Sequence, residues 1–346
     1  MKRRLVLVLA LALCASPWLR SQGHGHPQAP ASARYLGVNY THWLIGANCD
    51  LTNHGILATY KDPGVRATVQ GQLATMHAQG VTSLRFMIWY GLTPAESWGQ
   101  VQVGADGKLS KTLETNLSRF FADVQHAGFA RLSVSFGPKG SIGPQFTNYD
   151  PAQLPLDWAL LVQVRGLLKA AGIPDTRVDL LNEGSPNIYG RNGPNYDANL
   201  TSYLQEIYRR YVDAYGTADV TVSAVSEDPQ ALPALLTILQ GSGRPMPVWY
   251  EVHAYMWWYQ SLAQGIHDAL AQDDAALSSA GLTTQTLSLG ETYYGTSEVA
   301  TGALSYLAGT TRPLSEVMTW AQTVNPPCQP MNVSPPYNVT ALEPLR

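Results

Sequence analysis

From Tyr35 onward the chain alternates short apolar runs with helix-period stretches, and that order admits few folds. Eight runs read as strands: Tyr35–Tyr40, Val81–Ile88, Ala130–Phe136, Arg177–Asn182, Val220–Val225, Val248–Tyr255, Thr286–Gly290 and Ser315–Trp320. Helices are expected between them near Val65–Ala78, Leu113–His126, Leu156–Ala170, Ala198–Tyr215, Gln230–Leu239, Leu262–Leu277 and Glu298–Leu307. Strands joined through a helix pair in parallel, because the crossover returns the chain to the same end of the sheet. Eight such units predict an α/β protein, a closed (β/α)8 TIM barrel, over an open doubly wound sheet. Gly80, Gly128 and Gly172 each sit just before a strand, where a helix must stop. Loops after strands are long and those after helices short, which puts the working face at the strands' C-terminal ends. Past Trp320 the remainder is short and proline-rich, so a reduced eighth helix is expected.

The 346 residues suit one such barrel, which takes about 250 residues or more, with a leader in front. No repeat or second-domain linker interrupts residues 35–346, so that stretch is expected to be a single catalytic barrel. Charged residues make up 14% of the chain, against a usual share of roughly 25%, and the net charge of −3 is not clustered. Neither nucleic acid nor a polyanion is therefore expected as a partner, and the protein is expected to act as a monomer. Nine Trp and eighteen Tyr outnumber six Phe. Such rings join a flat apolar face to a polar handle, which suits a surface that stacks on sugars.

Residues 1–20 read as a secretory signal: the basic head Met1-Lys-Arg-Arg is followed by an apolar run of about 11 residues. A stable membrane span needs nearer 20 apolar residues, so secretion or a periplasmic location is expected. Residues 21–34, rich in Gly, His, Pro and Gln, read as a flexible lead-in, with His24 and His26 as solvated tail residues. Beyond the leader stand two cysteines, Cys49 and Cys328. In an oxidising compartment they are expected to form one disulfide. Cys49 follows the first strand and Cys328 the last, and those strands are neighbours when a barrel closes.

Two strand-like runs end in a carboxylate. Arg177-Val-Asp-Leu-Leu-Asn182-Glu183 breaks at a Gly-Ser-Pro, and Thr286-Leu-Ser-Leu-Gly290-Glu291 breaks at Thr-Tyr-Tyr294. An Asn-Glu pair alone is a weak signal, since a loop glutamate often only caps a helix. Two carboxylates at the same end of a barrel, however, make an acid and a nucleophile. Glu183, partly desolvated beside another carboxylate, would hold its proton near neutral pH. Asn182 can hold a sugar hydroxyl beside the bond being cut. His253 and Tyr255 share a face of the sixth strand and can reach Glu291 on the seventh. Glu251 has the same parity and lies deeper, which suits a buried, satisfied carboxylate better than a rival acid. Arg85 inside an apolar strand is costly unless it meets a carboxylate, and Glu291 is the evident partner. Trp320 closes the last strand as a floor for the sugar. Trp43, Trp89, Tyr90, Trp98, Tyr189, Trp257, Trp258 and Tyr294 are further platforms, some of which will be loop packing instead.

Arg85, Asn182-Glu183, His253-x-Tyr255, Glu291 and Trp320, in that order on strands two, four, six, seven and eight, resemble the clan A retaining glycoside hydrolases. The set is most similar to the cellulase-type family 5. The resemblance implies a TIM barrel and a two-step mechanism with Glu183 as acid/base and Glu291 as nucleophile. It puts Asn182 on the sugar 2-hydroxyl, with Arg85, His253 and Tyr255 positioning the nucleophile. Family 5 enzymes usually carry a His where strand three ends, and Leu132-Ser-Val-Ser-Phe-Gly-Pro138 has none. The expected activity is cleavage of a β-linked polysaccharide or oligosaccharide, with no cofactor and no metal. A carbohydrate-binding barrel without turnover and a transglycosylase are the alternatives. β-Glucan, mannan, xylan and a bacterial exopolysaccharide are all compatible substrates.

Overall fold

The computed structural model describes residues 35–44, 55–94, 101–145, 148–186, 196–256, 259–292, 297–320 and 339–346. All of them lie in the unit Ala31–Arg346. The leader, Cys49, Cys328, Trp98, Tyr189, Trp257, Trp258 and Tyr294 lie outside the described residues.

Eight parallel strands carry the fold: β1 (Tyr35–Asn39), β2 (Ser83–Gly91), β3 (Arg131–Pro138), β4 (Asp175–Asp179), β5 in two short pieces (Val220–Thr221 and Ala224–Val225), β6 (Trp249–His253), β7 (Thr286–Glu291) and β8 (Leu314–Thr319). The sheet runs from the first piece of β5 through β4, β3, β2, β1, β8, β7 and β6 to the second piece of β5. Its two ends are thus halves of one strand. Val178 is paired with Val220 on one side and Ala224 with Val252 on the other, and the sheet closes on itself. Thr221 Oγ1 donates to the Trp249 carbonyl at 3.1 Å and ties β5 to β6 across the break. The architecture is the (β/α)8 barrel that the alternation predicts.

Helices α1 (Pro63–Ala78), α2 (Lys111–His126), α3 (Leu154–Ala170), α4 (Tyr196–Tyr215), α5 (Ala231–Gly241), α6 (Leu262–Ser279) and α7 (Ser297–Gly309) alternate with the strands. Local sequence sets where they begin. Asp62 caps α1 by accepting the Gly64 and Val65 N–H groups, with Pro63 at the first helical position. Ser110 and Ser261 cap α2 and α6 in the same way. Gly80, Gly128 and Gly172 follow helix ends at φ of 85°, 91° and 73°, a left-handed conformation in which a Cβ is strained. After β8 the described residues include a short 3-10 helix, Thr340–Leu345, while residues 321–338, where an eighth helix would begin, lie outside them. No helix among the described residues is long and apolar enough to cross a membrane.

Phe120 and Phe121 of α2 pack edge-on and tilted against Phe86 of β2, and Phe120 also meets Tyr40 and Tyr60. This seam fastens α2 to the outside of the barrel. The inside is different, because buried polar side chains run up it. Ser83 and Arg131 both meet Glu316 near the strand starts, with Arg131 Nη1 3.2 Å from Glu316 Oε2. Arg85, Ser135, Asp179 and Glu251 lie nearer the C-terminal end, and all are buried.

Three strands differ from expectation in ways that matter for the site. β4 stops at Asp179, not Asn182, because the Asp179 carboxylate accepts the Leu181 and Ser223 N–H groups and turns the chain. β5 breaks at Val222–Ser223, where Ser223 reaches across to Asp179. β6 ends at His253, so Tyr255 lies just past the strand.

Phe120 is fully buried. Its replacement by Ala is expected to cost about 3–5 kcal/mol of folding free energy. An unfolding free energy from urea denaturation lowered by less than a third of that amount would show that the α2 seam is not what holds the barrel wall.

Candidate active site

Arg85 organises the site. It sits on β2, yet its guanidinium reaches side chains from β1, β3, β4, β6 and β7, which is possible only from inside the barrel. Nη1 donates to Glu291 Oε1 at 2.5 Å and to Asn39 Oδ1 at 3.3 Å. Nη2 donates to Ser135 Oγ, Asp179 Oδ2 and Asn182 Oδ1 at 3.0, 3.0 and 2.7 Å. Nε lies 2.6 Å from Glu251 Oε1, an ion-pair contact without hydrogen-bond alignment. One cation therefore faces three carboxylates and two amide oxygens in a place without solvent. Burial opposes its charge, and Glu251, Glu291 and Asp179 restore it, so Arg85 stays protonated.

Glu291 ends β7 and is nearly buried, with a side-chain exposure of 4%. Its Oε2 accepts the Tyr255 hydroxyl at 2.5 Å, and that hydroxyl in turn accepts the Trp320 indole N–H at 2.6 Å. Both carboxylate oxygens are thus held by donors, which fixes the group's orientation. Asn39 donates to the Gly290 carbonyl at 3.0 Å and steadies the strand end.

Glu183 lies on the turn after β4 with φ of 52°, the one non-glycine residue at positive φ among the described residues. Two bonds hold this strained backbone. The Glu183 N–H donates to Ser223 Oγ at 2.8 Å, and Gln145 Nε2 donates to the Glu183 carbonyl at 2.9 Å. The side chain keeps 35% exposure, against 4% for Glu291, so it is the more open of the two carboxylates. Asn182, alongside, accepts from Arg85 Nη2 at its Oδ1, and its amide NH2 makes no bond to a described residue. That leaves two donors free for a hydroxyl.

His253 joins the pair. Its Nδ1 is 3.3 Å from Glu183 Oε1 and 3.5 Å from Glu291 Oε1. One oxygen of each glutamate and a nitrogen of His253 all lie within 4.8 Å of one another. By distance alone these three could ligate a cation. The donors already in place argue against it: Arg85 occupies one Glu291 oxygen and Tyr255 the other, and a second cation would stand beside the guanidinium. Burial pulls the imidazole down, but the Glu291 charge and the bonds to Glu183 and Glu251 push it up to about 10. Burial pushes the Glu183 carboxyl up, yet His253, with Arg85 and Lys139 behind it, holds it below the ordinary glutamate value. This corrects the expectation that Glu183 keeps its own proton near neutrality. A protonated neighbour outweighs desolvation.

The aromatic candidates divide. Trp320 and Met87 form a small cluster with Trp89 and Tyr255 beside them, at the rim next to Glu291. Trp89 lies flat against Gly137, where a Cβ would fall 2.0 Å from the ring, and Lys139 Nζ sits 4.2 Å from the ring centroid. Trp43 is partly buried, donates its indole N–H to Thr59 and packs against the main core. Tyr90 is buried and donates to Asp157, so it is core and not a platform.

Five residues of the site carry no mark that singles them out in the sequence analysis. Asp179 and Ser135 bond Arg85 and each other, and Ser223 bonds both Asp179 and Glu183. An acid inside an apolar run marks Asp179 by the same logic that marks Arg85. Lys139 lies one residue beyond β3. Burial takes its ammonium down to about 8, against the pull of Glu183. Glu227, beyond β5, accepts the Tyr255 backbone N–H at 2.8 Å, and burial raises its carboxyl to about 7.

No protein-family model matches the chain, and no curated protein matches it. Solved structures do. An exo-β-1,4-mannosidase from Opitutaceae bacterium strain TAV5 is similar with a TM-score of 0.56 at 14% identity over 87% of this chain, which spans 54% of that one. A glycoside hydrolase family 5 enzyme from Prevotella bryantii B14 gives 0.55 at 15% identity, over 92% of this chain and 96% of that one. A β-1,4-D-mannanase from Cryptopygus antarcticus gives 0.53 at 15% identity, over 84% and 87%. At these identities the likeness is one of fold: the chain shares the barrel of those glycoside hydrolases.

Because His253 binds its proton more tightly when folded, its contribution to stability is complete below the ordinary value of 6.5 and is lost as pH rises through about 10. Thermal unfolding midpoints are therefore expected to fall across that window, and to fall less in His253→Asn. Equal slopes in the two proteins would contradict the protonated ring.

Proposed function

We propose that this chain is a retaining glycoside hydrolase that cleaves a β-linked polysaccharide or oligosaccharide by double displacement. The observation that carries the reading is the carboxylate pair. Glu183 and Glu291 oxygens within 4.8 Å of each other suit the roughly 5–5.5 Å carboxyl spacing of retaining enzymes. The wider spacing of inverting enzymes leaves room for a water that this arrangement does not have.

Each side chain then has a part. Glu291, oriented by Arg85 and Tyr255, attacks the anomeric carbon. Glu183, at the rim, gives a proton to the departing oxygen and afterwards takes one from water. Asn182 directs its free amide donors at the hydroxyl next to the reacting carbon. Trp320 and Trp89 offer apolar faces to neighbouring sugars. Two of the fold neighbours are named for β-1,4-mannoside cleavage, which makes β-1,4-mannan the first substrate to try. The basic, apolar leader supports export from the cell, where such polymers are met.

The test is a panel of β-mannan, β-glucan, xylan and exopolysaccharide, with the product anomer followed by NMR. Retention is expected. Glu291→Gln is expected to lose nearly all turnover, and Glu183→Gln about 10²–10⁴-fold. Inversion at the anomeric carbon, or near-normal turnover by Glu291→Gln, would remove the proposed nucleophile.

A further inference from the structure

Three carboxylates surround one imidazole. Glu183 and Glu291 share Nδ1 of His253, and Glu251 Oε1 lies 3.2 Å from Nε2. A ring nitrogen without a proton would aim its lone pair at the lone pairs of an ionised carboxylate, so a nitrogen facing one carries a hydrogen; burial raises the Glu251 carboxyl, and the Arg85 charge and the His253 bond act against that rise. Glu251 is what occupies the second nitrogen. It cannot touch substrate, because it is fully buried beneath Gly290, where a Cβ would fall 2.3 Å from Glu251 Cγ. Its Oε2 is buried without a hydrogen-bond partner. The side chain is held by Arg85 and His253, and its contact with the ring leads directly to the catalytic pair.

We propose that Glu251 is a positioning residue for proton transfer: it keeps His253 doubly protonated, so that the ring stores the proton Glu183 hands to the leaving oxygen. This rests on the reading of Glu183 as acid/base. In the first step a proton passes from His253 Nδ1 to Glu183 Oε1 and on to the glycosidic oxygen. The C–O bond breaks as Glu291 forms an ester to the anomeric carbon. The ring is left neutral, its remaining hydrogen on Nε2 and held by Glu251. In the second step water gives a proton through Glu183 back to Nδ1, its oxygen displaces Glu291, and every group returns to its starting state.

The charges facing the ring set the balance. Arg85 from β2 opposes a second proton, while Glu183, Glu251 and Glu291 favour it. Further groups act on these: Asp179 on Glu251, Lys139 and Glu227 near Glu183, and the Tyr255 hydroxyl on Glu291. Without Glu251, Nε2 would lie beside the guanidinium with no acceptor of its own. A ring pushed up to about 10, beside a Glu183 held below its ordinary value, is the charge distribution of a proton resting on the ring.

The isosteric variant Glu251→Gln tests this. The alkaline limb of kcat/KM is expected to fall by about one to three units. The rate loss is expected to be about tenfold greater on an unactivated β-oligosaccharide than on a 2,4-dinitrophenyl β-glycoside, whose departure needs little protonation. An unmoved limb with equal losses on both substrates would overturn the proposal. Nitrogen-15 NMR of histidine-labelled protein reads the ring without turnover, with His253 assigned by its absence in His253→Asn. Wild type is expected to keep both ring nitrogens protonated well above 6.5, the ordinary imidazole value, and Glu251→Gln to lose the second proton earlier. A neutral ring in wild type at pH 7 would overturn the proposal even if the variant fails to fold. A protonated ring that shifts in the variant, in a protein that cleaves no glycoside, would support Glu251's hold on the ring while overturning the glycosidase reading.

Discussion

A guanidinium buried inside a barrel is the constraint on which this structure turns. Arg85 has no solvent, and taking a charge out of water costs several kcal/mol unless partners replace the lost hydration. The partners come from strands far apart in sequence: Asn39, Ser135, Asp179, Glu251 and Glu291, with Asn182 beyond β4. Each must be at its strand end in register for the cation to be satisfied. Folding the barrel correctly and assembling the site are therefore one event.

The same arithmetic of charge explains how the carboxylates are divided. Glu251 is sealed beneath Gly290 and serves other side chains, while Glu291 stands at the edge of the sealed region and Glu183 at the open rim. Exposure, more than residue type, separates their roles. The strained turn at Glu183 belongs to this division. A relaxed continuation of β4 would have kept alternating and carried Asn182 and Glu183 to opposite faces. Ending the strand at Asp179 and pinning the turn with Ser223 and Gln145 delivers both side chains to the mouth.

Much of this was legible in one dimension. The period of apolar residues marked seven helices and eight strands close to where they lie, because burial of one face imposes that period. Arg85, His253, Tyr255, Glu291 and Trp320 were legible because a polar residue ending or interrupting an apolar run must be satisfied by something. Asp179 interrupts its strand as plainly as Arg85 does and was passed over. Lys139 and Glu227 carried no such mark, since charged residues in loops are ordinary. Tyr90 is not a platform because an aromatic near a strand end can as well turn into the core, and Tyr90 does so to meet Asp157.

Hydrophobic periodicity and strand order, which are properties of neighbours in the chain, determined the barrel and the end of it that works. Distances between strands are a property of closure and could be decided only by the tertiary structure. Closure put one imidazole between Glu183 and Glu291, and Glu251 behind it, a juxtaposition that no local run of the chain encodes. Electrostatic energy depends on spatial separation and on exclusion of water, and neither is written locally in the chain.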